Sequence, residues 1–277
     1  MDIGHAMIAP LALMGIMGGV FGVLLAIASI VFRVHQDERI GLVRAALPGA
    51  NCGGCGYPGC DGYASGVVTE GAPVNKCAPG GAKVAAAIAG IMGVDAGASV
   101  PVRAFLRCKG TCEASPRKLN YDGIDDCRSA VTIPGGSPNE CPFGCVGMGT
   151  CIKVCQFGAL SMGEDGLPKV DVSKCVGCGA CVENCPKGLF TLVPVTADVI
   201  VACASHWKGP AVKSVCSAGC IGCTLCEKKC PKKAITMEHD LAVINQDLCV
   251  KCGICAKVCP AKVISMGEKC AVIEKSA

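Results

Sequence analysis

Residues 220–231 read CIGCTLCEKKCP, and this stretch decides the fold of the chain around it. The same spacing, C-x2-C-x2-C-x3-C-P, recurs at 249–260 and at 175–186. In such a run three cysteines bind one [4Fe–4S] cluster, and the fourth binds the other cluster of a pair. The recurrence therefore predicts small ferredoxin-like folds that are built around clusters.

We expect two tandem units of the bacterial 2[4Fe–4S] type, at 140–190 and 220–277. The second unit is regular, and its crossed ligand sets are Cys220, Cys223, Cys226 with Cys259, and Cys249, Cys252, Cys255 with Cys230. The first unit opens with a variant run, C-x3-C-x5-C-x3-C, in which Gln156 replaces the usual proline. The same crossing predicts Cys141, Cys145, Cys151 with Cys185, and Cys175, Cys178, Cys181 with Cys155.

A further site is predicted nearer the N-terminus, where residues 51–60 read NCGGCGYPGC. Its glycines allow the backbone to fold tightly and to point N–H groups at sulfides. We expect a separate [4Fe–4S] cluster here, with structural zinc as the alternative. The predicted ligands are Cys52, Cys55, Cys60 and Cys77.

Six cysteines have no assignment from spacing: Cys108, Cys112, Cys127, Cys203, Cys216 and Cys270. They are either inert buried thiols or part of a further cluster, in which Cys203, Cys216 or Cys270 completes the group formed by the first three. The cofactor prediction is therefore about five [4Fe–4S] clusters, with one more as the alternative.

The composition supports clusters over disulfides. The chain has 26 cysteines in 277 residues and only 4% aromatic residues, so no large core can form. In the C-x2-C-x2-C-x3-C-P runs two residues separate the first three cysteines from one another, and a proline follows the fourth. This pattern suits a shared metal cluster better than a disulfide framework or zinc. Each bound [4Fe–4S] cluster, counted with its four thiolates, adds about −2 to the net charge. Five clusters therefore change the formal net charge from +4 to about −6. Nucleic-acid binding has no support.

The N-terminal segment predicts a membrane span. Residues 7–32 contain no charged side chain, and a helix of that length reaches about 39 Å, enough for a hydrocarbon core of about 30 Å. A cleaved signal peptide is the alternative, because residues 26–28 read AIA. Arg33, Arg39 and Arg44 follow the span, which favours a retained anchor in the inner membrane with the cluster-bearing part in the cytoplasm.

The overall prediction is an α+β fold in six parts. These are an anchor at 1–32, a [4Fe–4S] domain at 33–80, a linker and cysteine-containing connecting region at 81–139, the first unit at 140–190, a connector at 191–219 and the second unit at 220–277. Helices are expected at 38–46, 61–68 and 83–92, and strands at 199–202, 234–237 and 262–266.

The order of these motifs closely resembles the B subunit of the Rnf complex and its Rsx relatives. The resemblance rests on the membrane helix, NCGGCGYPGC, CPFGCVGMGTC at 141–151 and GCIGCTLCEKKCP at 219–231. It implies an electron carrier within an ion-translocating ferredoxin:NAD+ oxidoreductase, with soluble ferredoxin and flavin-bearing and NAD-binding subunits as partners and Na+ or H+ as the ion. The alternative is a membrane-anchored electron-transfer subunit of another oxidoreductase or of a redox-sensor reducing system.

No catalytic residue is predicted, because the chain lacks nucleotide-binding and hydrolase motifs. A lysine-rich surface is predicted around the second unit, where an acidic ferredoxin could dock. Its members are Lys228, Lys229, Lys232, Lys233, Lys251, Lys257 and Lys262. Lysines that only offset cluster charge are the alternative.

Overall fold

The computed structural model describes residues 3–32, 37–98 and 100–266, so Cys270 lies outside the described residues. Helix α1 runs over Ile3–Val31, as the apolar stretch predicts. Its segment Leu11–Val31 has a mean hydropathy of 2.4 and is not buried against the rest of the protein. Such a face is stable in contact with lipid rather than water, so α1 is a candidate membrane span.

Three helices form the N-terminal module: α2 (Glu38–Ala46), α3 (Gly59–Thr69) and α4 (Gly81–Met92). They confirm the helices predicted at 38–46, 61–68 and 83–92. Their apolar faces meet at Val43, Tyr63 and Ile88, which are almost completely buried. The stretch predicted to begin a linker therefore begins with a helix that packs into the module, because Ile88 and its neighbours form an apolar stripe.

Each ferredoxin-like unit combines one hairpin between two cysteine loops with one strand pair that closes the unit. The helices are α5 (Cys127–Ala130), α6 (Thr150–Lys153), α7 (Ala180–Glu183), α8 (Pro210–Lys213), α9 (Leu225–Lys228) and α10 (Ile254–Val258). The strands are β1 (Val102–Leu106), β2 (Leu160–Met162), β3 (Pro168–Val170), β4 (Phe190–Pro194), β5 (Val199–Val201), β6 (Ile235–Glu238), β7 (Leu241–Ile244) and β8 (Ile264–Met266).

The strand pairings repeat from one unit to the other, and all are antiparallel. The hairpins are β2–β3 and β6–β7, whereas β4 pairs with β1 and β8 pairs with β5. The three predicted strands are confirmed as β5, β6 and β8. Strands β1 and β5 come from the segments expected to connect the domains, so each unit is completed by chain that precedes its first cysteine loop.

The cores of the two units are small and contain sulfur. In the second unit Ile235, Leu241 and Val263 pack with the cysteines of its loops. In the first unit Leu160 and Phe190 do the same. Cores of this size stabilise a fold only weakly by burial alone, in agreement with the low aromatic content of the chain. The cysteines lie at the centre of each unit.

Candidate metal centres

Every cysteine that the structure describes is a free thiol. In the second unit the cysteines surround two separate cavities. One is lined by Cys220, Cys223, Cys226 and Cys259. The other is lined by Cys230, Cys249, Cys252 and Cys255. The structure therefore brings together both sets that the crossed motif predicts, with each fourth cysteine contributed by the opposite loop.

The first unit matches the prediction in one set and departs from it in the other. Cys155, Cys175, Cys178 and Cys181 are close neighbours, as the charges that act on Cys178 and Cys181 indicate. Elsewhere in this unit a cavity is lined by four other cysteines, which are Cys127, Cys145, Cys151 and Cys185. Cys141, which spacing assigned to this set, lies on a different cavity with Cys108, Cys203 and Cys216.

The spacing explains this departure. Cys145 and Cys151 are separated by the same interval as Cys220 and Cys226, so Met148 stands where the regular run has Cys223. Cys127 lines the cavity from outside the run. This substitution could have been found by aligning the two units on their paired cysteines rather than by counting cysteines in order.

Two side chains hold Cys127 in place at the start of α5. Asp126 caps the helix by accepting hydrogen bonds from the N–H groups of Arg128 and Ser129. Thr150 is almost completely buried, donates to Asp126 over 2.7 Å and accepts from the N–H of Cys127 over 2.8 Å. The hydroxyl of Thr150 lowers the pKa of Asp126. This network ties the upstream segment to the helix that carries Cys151.

Backbone N–H groups donate to the sulfurs at matching places in both units. The residue four positions after a cysteine donates to its Sγ in Cys155, Cys185 and Cys230, over 3.3, 3.4 and 3.3 Å. The chain turns between them at a residue with positive φ, which is glycine in the first unit and Lys233 in the second. Such hydrogen bonds set the reduction potential of a bound cluster.

In the N-terminal module the four predicted cysteines also come together. Burial raises the pKa of Cys77, and the charges of Cys60, Cys52 and Cys55 raise it further. Asn51 accepts a hydrogen bond from the N–H of Cys60 over 2.8 Å and so fixes the loop at the start of α3. Tyr63 donates to the carbonyl of Pro73 over 2.7 Å, which holds the segment before Cys77.

This module also touches the first ferredoxin-like unit. A Cβ atom on Gly54 would overlap the carbonyl oxygen of Cys178, so the two cysteine loops meet at the bare backbone of a glycine. The charge of Cys52 contributes to the raised pKa of Cys178. The two four-cysteine sets are therefore adjacent.

The donor groups fit iron–sulfur clusters. Burial raises the pKa of Cys145 and Cys181 to about 12, so these thiols ionise only when bound metal compensates their charge. In the described part of the chain, no three Cys, His, Asp or Glu side chains converge as a single ion would require. Zinc holds sulfur at about 2.3 Å, which brings its ligands almost into contact, whereas a four-iron core keeps them further apart.

Comparison with known families agrees with this arrangement. A model for an Fe-S cluster matches residues 47–79, and a model for a 4Fe-4S dicluster domain matches twice, at 144–189 and 219–263. Both dicluster matches begin one residue before an aligned cysteine, Cys145 or Cys220, and they leave Cys141 outside. The chain therefore has an Fe-S domain followed by two copies of a 4Fe-4S dicluster domain.

Three curated relatives cover most of the chain. The B subunit of the Na+-translocating ferredoxin:NAD+ oxidoreductase complex of Acetobacterium woodii is 49% identical over 88% of this chain and 73% of its own length. The B subunit of the proton-translocating ferredoxin:NAD+ oxidoreductase complex of Clostridium ljungdahlii is 46% identical over 88% and 86%. The B subunit of the ion-translocating oxidoreductase complex of Methanosarcina acetivorans is 44% identical over 87% and 91%.

These relatives are subunits of multi-subunit complexes, and α1 indicates a membrane-associated protein. Each match covers 87–88% of the chain, which is far more than one ferredoxin repeat contains. The chain belongs to the family of B subunits of the Rnf-type, ion-translocating ferredoxin:NAD+ oxidoreductase complexes.

Proposed function

We propose that the chain is the electron-relay subunit of a membrane-bound, ion-translocating ferredoxin:NAD+ oxidoreductase. It accepts electrons from soluble reduced ferredoxin and passes them to flavin-bearing and NAD-binding partner subunits, where two electrons and a proton convert NAD+ to NADH. This electron flow is coupled to Na+ or H+ translocation. Each bound [4Fe–4S] cluster supplies one-electron redox chemistry. The observation that carries the proposal is the series of adjacent four-cysteine sets.

The ligand sets of this relay follow the cavities. We assign Cys52, Cys55, Cys60 and Cys77; Cys155, Cys175, Cys178 and Cys181; Cys127, Cys145, Cys151 and Cys185; Cys220, Cys223, Cys226 and Cys259; and Cys230, Cys249, Cys252 and Cys255. Cys127 takes the place that spacing gave to Cys141. Five clusters of this kind bring about 20 iron atoms to the chain.

Neighbouring sets support transfer from one to the next. Cys52 lies beside Cys178, which joins the N-terminal module to the first unit. Within that unit the charge of Cys151 acts on Cys181, so its two sets adjoin. Because the cysteines are buried, water is excluded and the sulfur atoms are already in place before an electron arrives. The structural change on reduction is therefore small.

The far end of the second unit has the properties of an entry point. Cys252 is exposed, and Lys232 and the apolar Val250 lie on the same cavity. Lys232 and Lys233 are both exposed, directly after Cys230 and Pro231. A positive surface beside these cysteines suits an acidic ferredoxin.

Charge reversal tests this entry point. Changing Lys232 and Lys233 to glutamate should slow reduction of the full chain by reduced ferredoxin about tenfold or more at low salt, and salt should narrow the difference. The control reverses Lys153 and Lys169, which are also exposed but belong to the first unit, where their Nζ atoms lie 3.7 Å from Asp125 and 3.8 Å from Asp165. Stopped-flow absorbance measures the rate. An unchanged, salt-independent rate would contradict docking at this end.

The function itself is tested in membranes. Membranes from cells that lack this chain should lose ferredoxin-dependent NAD+ reduction, and the wild-type chain should restore it. A chain with Cys226→Ala should be present in the membrane but fail to restore the activity. Full activity without the chain would contradict the proposal. Protease added to sealed vesicles of known orientation tests the cytoplasmic side, which the arginines after α1 favour.

A further inference from the structure

Four cysteines outside the five assigned sets line one cavity. Cys108 follows β1, Cys141 opens the first unit, Cys203 follows β5 and Cys216 follows α8. Cys141, Cys203 and Cys216 are almost completely buried. The empty space beside these four cysteines, part of which is open to solvent, is about 350 Å³, against 390, 360 and 330 Å³ at the cavities of three assigned sets. A cavity of the same size with the same donors suits the same occupant.

Glycines leave room around these sulfurs. A Cβ atom on Gly110 would lie 3.5 Å from the Sγ atoms of both Cys108 and Cys216. One on Gly144 would lie 3.7 Å from the Sγ of Cys141. The bare backbone at both places lets a bulky inorganic core approach the chain closely, as at the glycine-rich loop of the N-terminal module.

The sulfurs also accept backbone hydrogen bonds like those in the ferredoxin-like units. The N–H of Gly110 donates to Cys108 over 3.4 Å. The N–H groups of Ser205 and Cys220 both donate to Cys203, each over 3.4 Å. Arg107 and Lys109 line the same cavity and offset negative charge there. Amide donors, positive side chains and four sulfurs are what a bound [4Fe–4S] cluster requires.

We infer that Cys108, Cys141, Cys203 and Cys216 bind a further [4Fe–4S] cluster, held jointly by the first ferredoxin-like unit, the segment that precedes it and the connector to the second unit. The alternative is a structural zinc site, which needs ligands that converge on one ion. The described residues contain no such convergence of three or more metal-binding side chains.

The position of this site gives it a role. Cys108 adjoins Cys145 of the first unit, since Cys108 lines the same cavity as Gly144, the residue before Cys145, and the charge of Cys108 raises the pKa of Cys145. Cys203 adjoins Cys220 of the second unit through the hydrogen bond above. An aromatic contact joins the same segments, because Phe143 packs edge-on against Trp207 at 5.5 Å. The site thus links the two units into one series.

The linking role rests on the relay proposed above, whereas the metal site does not. In that role one electron leaves the adjoining set of one unit, reduces the linking site and then passes to the other unit. No bond forms or breaks in this step, and the cysteines keep their sulfur atoms in the same positions before and after the transfer.

The metal site is tested by removing one ligand from the full chain, purified without oxygen. Cys203→Ala and Cys216→Ala should each lower iron and acid-labile sulfide by about four atoms per chain relative to the wild type. Cys112→Ala is the matched control, since Cys112 is exposed and lines none of the four cavities, and its iron content should be unchanged.

Three results would overturn the inference: unchanged iron in both variants, about one zinc per wild-type chain, or a wild-type iron content no higher than five clusters supply. The last measurement needs no variant to fold. Because iron counting uses neither ferredoxin nor partner subunits, it can fail while the membrane assay succeeds, or the reverse. For the linking role, Cys216→Ala should delay reduction of the first unit by ferredoxin but not of the second. Equal delays would contradict it.

Discussion

The two ferredoxin-like units share one scaffold, but the cysteines that line their cavities come from different segments of the chain. In the second unit all eight cysteines come from its own two loops. In the first, Met148 occupies the place of Cys223, and Cys127 lines the cavity from an upstream segment. A ferredoxin-like fold therefore specifies where a sulfur must lie, and it does not specify which part of the chain supplies it.

The outer ends of the units differ as well. The loop of Cys178 in the first unit is covered by the N-terminal module at Gly54. The corresponding Cys252 in the second unit is exposed beside lysines. One end thus makes a contact within the chain, and the other is the end that we propose for transient docking of ferredoxin.

The largest effect is expected from moving the unusual ligand back to its regular place. Cys127→Ala should remove one cluster, about four iron atoms per chain, because the remaining three sulfurs leave the core incompletely bound. Adding Met148→Cys to this variant should restore the lost iron, since it recreates the regular run. Iron and sulfide analysis measures both. Full iron content in Cys127→Ala alone, or no recovery of iron in the double variant, would contradict the conclusion that Cys127 replaces the cysteine missing at position 148.

A smaller effect is expected at the covered end. Gly54→Ala places a methyl group against the carbonyl of Cys178 and should destabilise the packing by about 1–3 kcal/mol. At about 2–4 °C for each kcal/mol, the thermal midpoint of cluster absorbance should fall by several degrees. Gly41→Ala is the control, because its Cβ meets nothing within 4 Å. Equal midpoints for the two variants would mean that the module does not rest on the first unit.

The smallest effect is expected at Thr224, which precedes α9. The residues that precede α6, α7 and α10 are glycines with positive φ, whereas Thr224 has φ of 62° and makes no capping hydrogen bond. Thr224→Gly should stabilise the second unit by up to about 1 kcal/mol. Gly253→Thr should destabilise it by more than this, because its Cβ would also overlap the end of the Met266 side chain. Thermal midpoints of both variants measure this. A decrease for Thr224→Gly would indicate a contact that compensates the strain.

The sequence predicted the regular features because they follow from local spacing. The crossed sets of the second unit, the helices of the N-terminal module and strand β5 all depend on residues close together in the chain. Local spacing did not predict the role of Cys127, because the other cysteines on its cavity lie 18 or more positions further along the chain. The path of the intervening loop does not follow from spacing. The same holds for Cys108 and Cys216, which come together only when β1 and β5 join their units.

The most direct test is the iron and acid-labile sulfide content of the full chain, purified in detergent without oxygen. The ligand sets described above, with the linking site included, predict about 24 iron atoms and as many sulfides per chain. Electron paramagnetic resonance of the reduced protein should then show interacting [4Fe–4S] centres. Folded protein that contains zinc, or almost no iron and sulfide, would contradict the conclusion that these cysteines hold an electron relay.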